Sequence, residues 1–180
     1  PHIGHIKSME SILKEKLVDE IWVFADRSHF RKKLAPLHHR EKMLEIALKK
    51  INSPKIKQIS NNSMSFDVSN PSSLFIYQQF KKHFPEKKFY FIGGSDLLLE
   101  IKDWKGGNSV KKIIKFLIVP RAGYPIKFKR HDWLYLSKEI ELIASSQIRD
   151  WLKEKQYKGK HLSKKVFKYI KQRGLYKIIK

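Results

Sequence analysis

The sequence predicts an α/β domain in which a doubly wound parallel sheet carries helices on both faces. Three observations lead there. Short apolar runs rich in β-branched and aromatic residues alternate with longer stretches of helical spacing. The runs are unbroken rather than alternately polar, the pattern of strands buried on both sides. A Gly-Gly turn follows the clearest of them, and in open parallel sheets ligands gather beyond the strand ends.

The elements follow in order. His5 to Leu17 places Ile6, Met9, Ile12, Leu13 and Leu17 on one stripe and predicts a helix. Glu20 to Ala25 (EIWVFA) predicts a strand. Helical spacing returns over Pro36 to Lys50 through Leu37, Met43, Leu44, Ala47 and Leu48. Lys55 to Ser60 predicts a weaker strand, and Pro71 to Phe84 a helix capped by Asn70. Lys88 to Ile92 (KFYFI), running into Gly93 and Gly94, and Lys115 to Val119 (KFLIV) predict buried strands. Trp151 to Lys180 holds ten Lys and Arg173 against Glu154, interrupted by Leu152, Leu162, Val166, Phe167, Ile170 and Leu175. That spacing predicts an amphipathic helix with a solvated basic face. The first helix has no strand before it and the chain opens on Pro1. The expectation is therefore a first, central strand missing from the given sequence and belonging to a longer polypeptide.

With 180 residues, 41% of them hydrophobic, the chain is expected to form one domain over 1–180, ending in a basic helical segment 146–180. No apolar run approaches the roughly 18 residues that span a bilayer, so no membrane partner is expected. The absence of cysteine removes disulfides, iron–sulfur clusters and thiolate metal sites, and suits a reducing cytoplasm. A net charge of +22 attracts anions, whether nucleic acid, nucleotides or phosphorylated metabolites.

Three constellations carry chemistry. Pro1-His2-Ile3-Gly4-His5 opens the first helix with two imidazoles on one side of a turn. Gly4 leaves no side chain between a phosphate and the backbone N–H groups, whose helix dipole favours negative charge. Gly93-Gly94-Ser95-Asp96 follows a strand; its glycines allow close backbone approach, and Ser95 or Asp96 is expected to cap the next helix. Ala144-Ser145-Ser146-Gln147-Ile148-Arg149 places cap hydroxyls ahead of a guanidinium suited to phosphate. Each has a plain structural reading as well: surface histidines, a capped turn, an ordinary N-cap.

In sequence order, PHIGH, HHREKML (His38 to Leu44), GGSD, IKDW (Ile101 to Trp104), VPRAGY (Val119 to Tyr124), ASSQIR and VFKYIKQRGLY (Val166 to Tyr176) resemble the nicotinate-nucleotide adenylyltransferase family over nearly the whole chain. The resemblance implies a Rossmann-like nucleotidyltransferase that joins ATP and nicotinate mononucleotide into deamido-NAD and pyrophosphate. It implies that His2 and His5 are catalytic at the ATP phosphates, and that Gly4, Gly93, Ser95, Asp96, Ser145, Ser146, Ile148 and Arg149 bind ATP. Trp104 is implied near the pyridine ring, and Arg121 and Lys32 at the second substrate. Mg²⁺ carried by ATP is the implied cofactor, with no protein metal site; the implied partners are the two nucleotides, with no obligate nucleic acid, and a homo-oligomer is compatible. The family's Pro-Pro-His-Lys loop is echoed only by His29-Phe30-Arg31-Lys32-Lys33, Asn70-Pro71-Ser72-Ser73 replaces its Ser-Tyr-Thr stretch, and Ser146 stands where threonine is usual.

The same chemistry extends to nicotinamide mononucleotide or 4′-phosphopantetheine as alternative acceptors. A class I aminoacyl-tRNA synthetase, with Lys160 to Lys165 as its lysine loop, would need more chain than this, and His161 to Lys165 fits the start of the terminal helix with Ser163 as a cap. A basic RNA-binding module would rest on charge alone, for the aromatics fall mainly on predicted core strands.

Overall fold

A computed structural model of the chain describes residues 1–25, 34–60, 63–66, 72–104, 107–140, 143–154 and 156–176. Its centre is β4 (Phe116–Val119), whose four residues are all buried. Phe116 and Ile118 face one way, into a cluster with Ile101, Val110, Ile114 and Trp133. Leu117 and Val119 face the other way, against Met9, Ile12, Ile21 and Leu136. A strand apolar on both faces can only lie between two layers, and that is what makes the domain α/β.

Parallel pairing follows. β3 (Phe91–Gly94) and β5 (Leu134–Tyr135) flank β4, both parallel to it. β1 (Ile21–Val23) pairs in parallel with β2 (Ile56–Gln58) in a second sheet, Ile21 opposite Ile56. Helices α1 (Ile3–Lys14), α2 (Leu37–Ile51), α3 (Ser73–His83), α4 (Leu97–Glu100) and α5 (Gly107–Ile113) cover the sheets, with a 3₁₀ turn at Ile101–Asp103. The sheets share no ladder among the described residues. Ile21 of β1 nevertheless packs in one cluster with Leu117 and Val119 of β4. A cavity of about 1700 Å³ is lined by residues of both β1 and β3 and reaches the starts of α1 and of α6 (Ser145–Lys153).

Two expectations are corrected. The third helix is capped by Ser72, whose Oγ accepts the Phe75 N–H at 3.2 Å; Asn70 lies outside the described residues. The basic C-terminal stretch is not one helix but two, α6 and α7 (Lys164–Gln172). Between them the Tyr157 hydroxyl accepts the N–H groups of His161 and Leu162 at 2.9 and 2.6 Å, and Gly159 takes φ +83°, a left-handed conformation that ends regular helix. Ser163 then caps α7, its Oγ accepting the Val166 N–H at 3.2 Å. Leu162, Val166 and Ile170 close against Met43 and Ala47 of α2 and Ile148 of α6.

Ile118→Ala empties a position that is 0% exposed; urea unfolding is expected to register a loss of about 2–5 kcal/mol. A loss below about 1 kcal/mol would mean that β4 is not the packed centre.

Candidate active site

The site is built on two helix N-termini and one strand end. His2 is the N-cap of α1, in extended conformation, and only 5% exposed. Its ring stacks on that of His5, centroids 3.7 Å apart and 23° between planes. The His2 N–H donates to His5 Nδ1 at 3.4 Å. His5 Nδ1 thus accepts, which puts the neutral ring's proton on Nε2. His2 Nδ1 is buried with no hydrogen-bond partner among the described residues, a polar atom left for something else to satisfy. Gly4 is buried beneath the pair, its carbonyl accepting the Ser8 hydroxyl at 3.0 Å.

Burial, then the neighbouring His5, pushes the His2 imidazole down to about 3. His5 is exposed on the cavity lining, yet the protein around it, then the charges of the Pro1 amino group and of Arg121, hold it at about 4. Both rings are neutral at pH 7. Neutral imidazoles donate a hydrogen bond without any buried charge, and an arriving polyanion favours their protonation.

At the end of β3 the glycines belong to the strand itself rather than to a loop after it. Asp96 takes the N-cap position of α4, one of the two residues expected there, but its side chain makes no cap hydrogen bond. Ser95, 2% exposed, accepts the Arg121 N–H on Oγ at 2.9 Å, and its own N–H donates to Val119 O at 2.9 Å. The Asp96 carboxylate forms an ion pair with the Arg121 guanidinium, both side chains about one-fifth exposed. These contacts lock the ends of β3 and β4 together. A Cβ on Gly94 would collide with Asp96 Oδ1 and Arg121 Cδ, so the lock requires glycine there.

The serines of α6 also differ from expectation. Ala144 is the N-cap and no side chain caps the helix, so Ser145 and Ser146 lie in the first turn. Arg149 stands one turn further on. Ile148, 4% exposed, anchors the helix to α2 and α7.

His2, His5, Gly93, Asp96, Arg121, Ser145, Ser146, Ile148 and Arg149 all line one cavity, although the chain separates them widely. Gly4 and Ser95 lie buried behind its wall. Trp104 is not among the lining residues; it packs half-buried on the cluster around Ile101. Lys32 lies outside the described residues. Arg40 and Tyr176 also line the cavity. Neither was singled out as a site residue, although HHREKML and the closing RGLY contain them.

Parallel strand ends with two helix N-termini, paired imidazoles and a guanidinium on one cleft define a nucleotide-transferring α/β protein. The chain belongs to the cytidylyltransferase-like family, whose model matches residues 1–151. It is 28% identical over 183 residues to a Methylacidiphilum infernorum protein named "Probable nicotinate-nucleotide adenylyltransferase", across 97% of this chain and 86% of that one. It is also similar to the Plasmodium falciparum nicotinic acid mononucleotide adenylyltransferase complexed with NaAD, with TM-score 0.79 and 26% identity over 97% of this chain and 91% of that one. The same enzyme complexed with APC gives TM-score 0.76 and 25% identity, over 97% and 90% of the two chains.

Imidazoles held neutral have a consequence for pH. The unfolded chain protonates them near the ordinary value of about 6.5, whereas the folded chain does so only near 3 and 4. Their contribution to stability is whole above about pH 6.5 and is lost as the pH falls towards the folded values. In NMR titrations of the free protein, the His2 and His5 ring signals are expected to stay neutral at pH 5.5. Titration of either near 6.5 would contradict the burial described.

Proposed function

We propose that the protein transfers AMP from ATP to nicotinate mononucleotide, forming deamido-NAD and releasing pyrophosphate. The observation that carries this reading is the meeting of the α1 and α6 N-termini, with His2, His5 and Arg149, on one cleft. The solved relatives supply the substrate class: one is complexed with NaAD, the product such a transfer yields.

A 5′-phosphate oxygen of the mononucleotide attacks the α-phosphorus of ATP. The new O–P bond forms as the bond from the α-phosphorus to the bridging oxygen breaks, and pyrophosphate leaves with that electron pair. No general base is needed, because a phosphate monoester is already largely ionised near neutral pH. What remains is alignment and the neutralising of charge on oxygen. His5 Nε2–H and His2 donate to the phosphoryl oxygens, the first-turn N–H groups of α6 and Arg149 hold the triphosphate, and the glycines of β3 let adenosine approach the backbone. Trp104 has to turn away from the Ile101 cluster to reach a pyridine ring.

Nucleotide transfer from ATP calls for a divalent metal, and we take it to be Mg²⁺ held by the phosphates. Among the described residues no three His, Asp or Glu group together to hold an ion, and Asp96 is engaged by Arg121. Such an ion offsets charge on the departing pyrophosphate. Among the described residues no helix is long and apolar enough to cross a membrane; a cytoplasmic setting accords with a cysteine-free chain.

His5→Ala is expected to lower kcat by about 10²-fold or more, as does loss of an oxyanion donor elsewhere. An unchanged kcat in a folded variant removes His5 from the chemistry. Pyrophosphate release from ATP, measured with nicotinate mononucleotide, nicotinamide mononucleotide and 4′-phosphopantetheine in turn, is expected to be fastest with the first. Preference for either of the others overturns the acceptor.

A further inference from the structure

Backbone groups of two strands face each other across the cavity. The Ile21 N–H donates to Lys55 O at 2.7 Å and Val23 O accepts the Ile59 N–H at 2.8 Å, so these residues of β1 turn toward β2. Successive residues of a strand turn their backbone groups to opposite sides, which points those of Trp22 away from β2. In β3 the Phe91 N–H donates to Lys115 O at 2.8 Å, and just beyond the strand the Ser95 N–H donates to Val119 O at 2.9 Å, so Ile92 and Gly94 turn away from β4. Among the described residues no strand pairs with either of these edges, yet Trp22, Ile92 and Gly94 line one cavity. Backbone donors and acceptors inside a sheet are almost always paired.

The same two layers cover both sheets across this gap. On one side Met9 and Ile12 of α1 pack in one cluster with Ile21 of β1 and with Leu117 and Val119 of β4. On the other, α3 places Ile76 and Phe80 in the cluster of Trp22, and Tyr77 in that of Phe116. Met9, Ile76 and Phe80 line the cavity itself, so it has apolar walls above and below. The strands on either side start at one end, where Glu20, just before β1, pairs with Lys87, ahead of β3, at 3.2 Å. β4, within its sheet, is wholly buried, whereas Ile92 of β3 is 36% exposed.

We propose that the gap between β1 and β3 is a strand slot, filled by one extended segment of about four or five residues, apolar on both faces and parallel to its neighbours, on the polypeptide that leads into α1. β1 and β3, with three and four residues, set the length. The walls from α1 and α3 set the apolar pattern. Topology sets the source: a strand in the slot, then α1, then β1 is a parallel crossover between adjacent strands, and sequential strands are usually neighbours. A second copy of the chain is a poor occupant, since a net charge of +22 opposes self-association. The segment joins the two sheets into one, in the order β2, β1, segment, β3, β4, β5, and its carboxyl end arrives at His2, the N-cap of α1. Neither the transfer chemistry nor its acceptor enters this assignment.

The test joins the segment Lys-Ile-Val-Ile-Val-Gly directly to Pro1 and follows amide hydrogen exchange at Trp22, Ile92 and Gly94. A control carries Lys-Ile-Pro-Ile-Pro-Gly, whose prolines lack the N–H groups a ladder needs. Relative to the 180-residue chain, exchange at the three amides is expected to slow about tenfold or more with the first segment and to stay unchanged with the control. Unchanged exchange with the first segment overturns the proposal. Equal slowing with the control overturns it too, because the protection would not come from pairing. If the fusion does not fold, the same segment is added to the 180-residue chain as a separate acetylated and amidated peptide, and exchange that does not slow then overturns the proposal. Sedimentation of the unextended chain covers the remaining occupant: a dimer in which these three amides are already protected would place a second copy in the slot and overturn the proposal.

Discussion

A site for a polyphosphate has to gather positive potential without burying unpaired charge, and the architecture meets that constraint with peptide dipoles and neutral rings. The N-termini of α1 and α6 point partial positive charge at the cleft. His2 and His5 add donors that burial keeps uncharged until an anion arrives. Formal charge enters through arginines and lysines of the lining, and one of the arginines, Arg121, is balanced by Asp96. The free cleft can therefore exist at neutral pH without severe repulsion, and the ligand completes the electrostatics.

Everything that positions this cleft depends on the central strand. Because β4 is apolar on both faces, it fixes α1 on one side and the α4–α5 region on the other. The lock from Ser95 and Asp96 to Arg121 then sets the end of β3 against the end of β4. Gly94 is necessary because two side chains occupy the space a Cβ would need. Stability and chemistry meet at this corner: Asp96 and Arg121, which help close the sheet, also line the cavity.

Much of the fold was legible in the chain. β1, β2 and β4 fall within their predicted spans because short apolar runs with turn signals have few other solutions, whereas β3 starts at Phe91 rather than Lys88 and runs on through Gly93 and Gly94. Two-residue β5 carries too little pattern to be found, and α5 begins at Gly107, which propensity alone would assign to a loop. The start of α7 was legible in its cap, Ser163, and the stretch between Leu152 and Leu162 holds no apolar residue but Tyr157; the bonds by which Tyr157 shapes that stretch are ones only the folded chain reveals. The histidine pair was legible, being local. The Asp96–Arg121 pair was not, since it joins residues from separate elements. Ser145 and Ser146 were read as caps from residue type, whereas the N-cap is Ala144 and the helix itself starts at Ser145.

The claim beneath all of this is that the start of α1 and the start of α6 grip the same phosphate chain. Titrating ATP into isotope-labelled protein, while following the His2 and His5 ring signals and the Arg149 side-chain N–H together, addresses it directly. The account expects all three to shift with one common dissociation constant. Imidazoles that respond while Arg149 stays still, or responses with different constants, would show two separate sites and contradict it.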